Sequence, residues 1–352
     1  MNYLRERKRL LLAVLVMIAS CHVGFARGEA NPADRLVSKS TISTIAFGSC
    51  NSEKKPQPLW PVIAREKPDL WIWTGDNIYA DTEDPAVFRQ KYDLQLNNPE
   101  YRKFTNSVEF LTGTWDDHDY GVNDGGADYP QKELAKAELY RFLNVESDDP
   151  SRARDGVYRS YDFGPSERRV RVILLDTRWF RSELERTTGP DREYLPNTTG
   201  AILGEAQWQW LWEQLADDSP RVTIIVSSIQ VVAREHRFEK WGNFPNELDR
   251  LYKLLERLAP KNTVVISGDR HAGEISAQDI SGWSHPLLDV TSSGLTNSWS
   301  RMFDEVNSRA VTPKVIDNNY GVIEIDWSSG EPDITVSLRG LQGVIQSIRL
   351  KG

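Results

Sequence analysis

Between Trp115 and Asp119 the chain places three carboxylates and an imidazole in four consecutive positions: Asp116, Asp117, His118 and Asp119. Adjacent carboxylates repel one another unless a cation or a protonated histidine offsets them. Helix N-capping would occupy one of the three. An imidazole flanked in this way has its pKa raised and its tautomer fixed, as a general acid near neutral pH requires, so His118 is the candidate acid. Ser267-Gly268-Asp269-Arg270-His271 sets an oxygen donor and a nitrogen donor two residues apart. In an extended loop Asp269 and His271 would project to the same side, and the mixed pair suits zinc, iron or manganese. Gly75-Asp76 is followed three residues later by Tyr79; glycine after a strand permits a tight turn that aims the next side chain across the sheet edge. Cys50 has three readings. Its thiolate would be a strong metal ligand. The alternative is a nucleophile with His118 or His271 as base, a reading that the many carboxylates disfavour because they oppose an uncompensated thiolate. The third reading is a buried small apolar side chain.

These groups follow short apolar runs. Ile42 to Phe47, Leu70 to Trp73, Phe110 to Trp115, Val170 to Leu175, Val222 to Val226, Val264 to Ile266 and Leu287 to Val290 read as strands. Nearly every run ends in small polar residues, including Gly48-Ser49-Cys50-Asn51, Asp176-Thr177-Arg178, Ser227-Ser228 and Thr291-Ser292-Ser293. Ligands of open α/β sheets sit outside the carboxyl ends of the strands, so the clusters are expected to converge on one site. Helices are expected after Asp84-Pro85 (Asp as cap, Pro in the first turn) and over Gln131 to Asn144, Glu205 to Ala216 and Asn246 to Leu258. Trp208, Leu211, Trp212 and Leu215 recur at the spacing of a buried helix face. Alternating strands and helices predict a largely parallel sheet covered on its faces. Val322 to Trp327, Ile334 to Leu338 and Val344 to Leu350 predict consecutive antiparallel strands that extend a second sheet.

The N-terminus has an export signature. Arg5, Arg7, Lys8 and Arg9 precede the apolar run Leu10 to Ala19, too short to span a bilayer. Cleavage after Gly24-Phe25-Ala26 would remove residues 1–26 as a signal peptide. Ile18-Ala19-Ser20-Cys21 instead resembles a lipobox, which would leave Cys21 lipidated as a membrane anchor. The product is expected to be periplasmic, extracellular or lipoprotein-anchored. The chain of 352 residues carries a net charge of −8, and removing a segment of net charge +3 takes it to −11. That sign argues against a nucleic-acid partner. Any anionic substrate would need local positive charge, which a bound metal supplies. Cys50 has no intrachain disulfide partner in this reading, an unusual economy for an exported chain.

The motifs FGSC (47–50), WTGDNIY (73–79), TWDDHDYG (114–121) and ISGDRHAGE (266–274), in that order, resemble those of the PhoD-like alkaline phosphatase/phosphodiesterase family, within the calcineurin-like metallophosphatase superfamily. The resemblance runs from about Ile42 to at least Gly294. It implies one α/β (α+β) domain over 42–350: two mixed β-sheets flanked by helices, a four-layer αββα sandwich. It also implies a di- or tri-nuclear metal centre of iron with calcium, the Asp-rich set suiting calcium, with zinc or manganese as alternatives. Cys50 would bind an iron-like metal beside Asp76 and Tyr79, and Asp76 would bridge to a second metal. Asp117 stands where the superfamily has an asparagine ligand, and Asp269 and His271 occupy the last metal motif. His118 matches the histidine that protonates the leaving oxygen. Asn77, Arg178 and Arg270, with Arg234 nearby, are candidates to hold the phosphate. His236 and His285 lack carboxylate company and are read as structural.

Two departures stand out. Ser227-Ser228-Ile229-Gln230 lacks the histidine ligand that the superfamily has there, leaving Ser228 or Gln230 as donors, and the N-terminal β-domain that the resemblance implies is expected to be lacking. The expected reaction is hydrolysis of small or polymeric phosphate esters, with in-line attack by water that the cations activate. Segments 80–106 and 177–199 would choose between mono- and diesters. Two other readings remain: a non-catalytic secreted protein that uses its twelve tryptophans to bind carbohydrate and Asp116, Asp117 and Asp119 to bind calcium, and a metallohydrolase acting on another bond type.

Overall fold

Alternation along the strands determines the layering. Ile45 and Phe47 face one way and Ala46 the other; Leu70 and Ile72 oppose Trp71 and Trp73; Val172 and Leu174 oppose Ile173. Both faces of these strands are apolar, so each sheet needs cover on two sides. A computed structural model describes residues 35–188, 193–299, 301 and 305–351; the expected signal peptide (1–26) and Cys21 lie outside the described residues.

The strands are β1 (Arg35–Ser38), β2 (Thr44–Gly48), β3 (Leu70–Thr74), β4 (Phe110–Thr114), β5 (Arg159–Phe163), β6 (Val170–Leu174), β7 (Val222–Val226), β8 (Thr263–Ser267), β9 (Gly273–Gln278), β10 (Leu287–Ser292), β11 (Tyr320–Asp326), β12 (Asp333–Gly340) and β13 (Gly343–Lys351). They form two mixed sheets, ordered β1-β5-β6-β7-β8-β10-β9 and β13-β12-β11-β2-β3-β4. Pairing is parallel through β6–β7–β8–β10 and β2–β3–β4. It is antiparallel from β2 through β11 and β12 to β13, so the C-terminal strands extend the second sheet as expected.

The inward rows of the two sheets meet in a core that includes Phe47, Ile72, Val172, Ile224 and Ile266. Helices α1 (Trp60–Arg65), α2 (Pro85–Leu96), α3 (Pro99–Thr105) and α5 (Lys132–Phe142) cover the outer face of the second sheet; α6 (Gly204–Ala216) and α7 (Pro245–Leu258) cover the first. The short helix α4 (Asp117–Tyr120) is described with the site. Asp84 caps α2 by accepting the Ala86 N–H, with Pro85 in the first turn.

The tryptophans belong to this packing. Eight of the twelve are buried, and the other four are partly buried. Trp60 packs edge-on against Trp71 and Trp73 at 5.2 and 5.4 Å between centroids. Among the described residues no tryptophan is fully exposed. No helix among them is long and apolar enough to cross a membrane.

Candidate metal centre

The polar clusters lie at the carboxyl ends of β2, β3, β4, β6, β7, β8 and β10, and several are joined by hydrogen bonds. After β3, Gly75 turns the chain at φ +103°, and a Cβ there would lie 2.5 Å from the Asp116 Cβ. The turn brings Asp76 against the loop after β2, where the Asn51 N–H donates to the Asp76 carbonyl at 2.9 Å. Cys50 (φ 56°), Asp76 (φ 48°), Asp81 (φ 45°), Asp124 (φ 55°), Asp269 (φ 68°) and His271 (φ 52°) all occupy the left-handed region. They are six of the ten non-glycine residues that do so among the described residues. Each costs roughly 1–3 kcal/mol and persists only because its surroundings impose it, so this strain is concentrated around the site.

The acidic run after β4 is divided among three tasks. Asp119 turns inward and accepts the N–H groups of Asp116 (2.6 Å), Asp76 (3.2 Å) and Asn77 (3.1 Å), tying the β3 and β4 loops together. Asp116 Oδ1 accepts from Arg178 Nε at 2.7 Å and Ser228 Oγ at 2.6 Å. Its Oδ2 is buried with no hydrogen-bond partner. Asp117 opens α4 and accepts the N–H groups of His118 (2.9 Å) and Asp124 (2.7 Å). His118 Nδ1 lies 2.6 Å from Asp81 Oδ1, and its ring lies 4.2 Å from that of Tyr79, centroid to centroid.

Asp269 and His271 do share one site, but not through extended backbone. Both residues are left-handed, so the loop after β8 curls and the alternation argument fails there. His271 Nε2 lies 2.9 Å from Tyr79 Oη, and the His271 N–H donates to Ser293 Oγ at 2.7 Å. The Cys50 thiol is 3.0 Å from Ser293 Oγ and donates to Asp76 Oδ2 at 3.4 Å. Three overlapping donor groups result: Cys50, Asp76 and His271; Asp76, Asp117 and His118; Asp116, Asp117 and Asp269. Within each group, the donor atoms lie no more than 4.8 Å apart.

Electrostatics favour cations here. Burial, with repulsion from neighbouring carboxylates, pushes Asp76 and Asp269 well above the carboxylate range. Burial raises Asp116 to about 7 and Asp119 to about 8. Burial and nearby carboxylates also hold the Cys50 thiol and Tyr79 phenol protonated. His271 falls to about 4, through burial and then repulsion from His118, and so offers a neutral imidazole. Burial opposes protonation of His118, but Asp76, Asp117 and Asp81 outweigh it and lift the group to about 11. Mixed O, N and S donors, crowded carboxylates and an unpartnered buried Asp116 oxygen fit a polynuclear metal centre.

A cavity of about 410 Å³ opens over Asp117, His118, Asp269 and His271, with Arg270, Arg237, Phe238 and Trp299 on its walls. Of the expected substrate residues, only Arg270 lines it. Asn77 is fully buried, donating through Nδ2 to the Thr114 carbonyl and Asp119. Arg178 is also fully buried, clamped by Asp116 and Glu239. Arg234 lies over Tyr252, outside the cavity. Sequence reasoning missed Asp81 and Ser293 as contributors; each appears only as another polar residue in a loop already singled out.

The chain matches the family described as PhoD-like phosphatase over residues 45–321. It is 23% identical over 270 residues to Alkaline phosphatase D of Bacillus subtilis (strain 168), an alignment that covers 65% of this chain and 46% of that protein. The chain thus spans about half the length of that relative. Its fold is similar to the solved structure of PhoD, with a TM-score of 0.67 at 17% identity, covering 89% of this chain and 69% of that one. It is also similar to a dimetal phosphatase from Danio rerio, with a TM-score of 0.53 at 13% identity, covering 89% and 99% respectively.

Proposed function

The chain belongs to the PhoD-like phosphatase family, and from that premise we propose that it is an exported, metal-dependent hydrolase of phosphate esters. The observation that carries this reading is the convergence of Cys50, Asp76, Asp117, Asp269 and His271 beside His118 at one end of the sheets. Asp117 belongs to two of the three donor groups, and so does Asp76, which would serve both ions. Cys50, Tyr79 and His271 would hold an iron-like ion with it; Asp117 and Asp269 would hold a harder ion such as calcium.

Bound cations would polarise the phosphoryl oxygens and lower the pKa of an attacking water. The chain's own residues supply the remaining functions. Asp81 fixes His118 through Nδ1, which leaves Nε2 to carry a proton to the departing alkoxide. Ser293 holds the thiol and the His271 backbone in register. Asp119 and Arg178 fix the β3 and β4 loops from behind. The arginine-rich N-terminus and its short apolar run support export.

Metal analysis of purified protein, with a screen of p-nitrophenyl mono- and diesters, tests the reading. Iron with calcium and turnover of at least one ester class is expected. Full metal occupancy without turnover would make this a metal-binding protein instead.

A further inference from the structure

We propose that Arg237, beside Phe238 at the rim of the cavity, receives a second negative charge on the substrate. The site then favours phosphate esters that carry an anionic group beyond the scissile phosphoryl. This inference rests on the phosphoesterase reading.

Three arginines line the cavity, and two are already neutralised. Arg186 meets Asp124 at 2.9 Å. Arg270 Nη2 meets both Glu305 oxygens at 3.0 and 2.9 Å, with its guanidinium 4.2 Å from the Phe238 centroid. Arg237 packs against the same ring at 5.1 Å, and its exposed guanidinium makes no ion pair with a carboxylate among the described residues. The nearest lining acid in sequence, Glu239, is taken by Arg178 and Arg181 at 2.6 and 2.9 Å. Ring stacking holds the planar fork without consuming its donors, which suits it to a carboxylate or phosphate.

The groove that adjoins the site has the other sign. Through Asn123, Asp124 and Arg186 the cavity adjoins a groove of about 1570 Å³ lined by Asp81, Glu83, Asp128, Glu183 and Glu185. A second anion is repelled there and attracted at Arg237. In a chain of net charge −8, such local asymmetry decides where an anionic substrate lies.

Ester pairs that differ by one carboxylate test this: propyl phosphate against 3-carboxypropyl phosphate, and the corresponding p-nitrophenyl diesters. The holoenzyme should favour the carboxylate-bearing member by roughly tenfold in kcat/KM, mainly through KM, as one charge-assisted pair permits. Arg237→Ala should collapse the ratio towards one, Arg237→Lys should keep part of it, and Arg237→Glu should invert it. Metal content and circular dichroism certify that each variant is folded. No preference in the wild type, or a ratio unchanged in Arg237→Ala, overturns the proposal while leaving the phosphoesterase reading intact. Metal-loaded wild type inactive on all four esters overturns both.

Discussion

The His118 backbone donates to the carboxylates of Asp76 and Asp117, whereas its imidazole is held by Asp81, so removing the ring alone separates its role from that of the ligands. His118→Ala should keep most of the metal while kcat falls about 10²–10⁴-fold, the usual cost of a lost general acid. p-Nitrophenolate leaves without a proton and an alkoxide does not, so the defect should be much larger on alkyl esters. Loss of metal in this variant would make His118 a ligand, a role that its place beside Asp76 and Asp117 would allow. Cys50 and Tyr79 give a second test. Both are held protonated, so binding a cation must displace their protons, whereas His271, lowered to about 4, has none to release at neutral pH. Metal affinity should therefore rise with pH across the neutral range, by about tenfold per unit for each proton displaced. Calorimetry in buffers of differing ionisation enthalpy should register that release; pH-independent affinity would remove both groups from the ligand set.

At the scale of elements, the β3–β4 junction is the tightest part of the scaffold. Gly75→Ala would force a Cβ to within 2.5 Å of Asp116 at φ +103°, so we expect a loss of about 1–3 kcal/mol in chemical denaturation, together with weakened metal binding. An unchanged unfolding midpoint would show that the turn can relax. The glycine was legible in the sequence, as were all ten strands that read as apolar runs and the four helices with start signals. Three strands were missed, β1, β5 and β9, and at least half of each is polar. β5 alternates Arg159 and Tyr161 with Ser160 and Asp162, and Arg171 answers Asp162 at 2.8 Å from the neighbouring strand. β1 is a short edge strand, half exposed. α3 had a readable signal in Asn98-Pro99, where the Asn98 side chain accepts two N–H groups. The donors that cluster in the structure were legible by type because chemistry limits the choice of metal-binding side chains. Their backbone was not: Asp269 and His271 meet through left-handed turns that a period-two argument cannot foresee. Asn77 and Arg178 carried polar labels that hid a buried structural use.

For the whole molecule, two sheets close over one apolar core and leave the chemistry on irregular loops at one end. The left-handed residues there have an evolutionary consequence. Each stands against the preference of its own backbone, and Asp269 is also a buried carboxylate repelled by Asp116 and Asp117. Asp269→Asn keeps the turn, since asparagine tolerates it, and removes the repulsion. In chelator the variant should melt higher than the parent, by about 1 kcal/mol. With metal present the order should reverse, because cations bind and stabilise only the parent. A lineage released from selection for activity would therefore drift towards a more robust protein, not a collapsed one. Its decayed descendants should be recognisable as intact folds with asparagine or glycine at these positions.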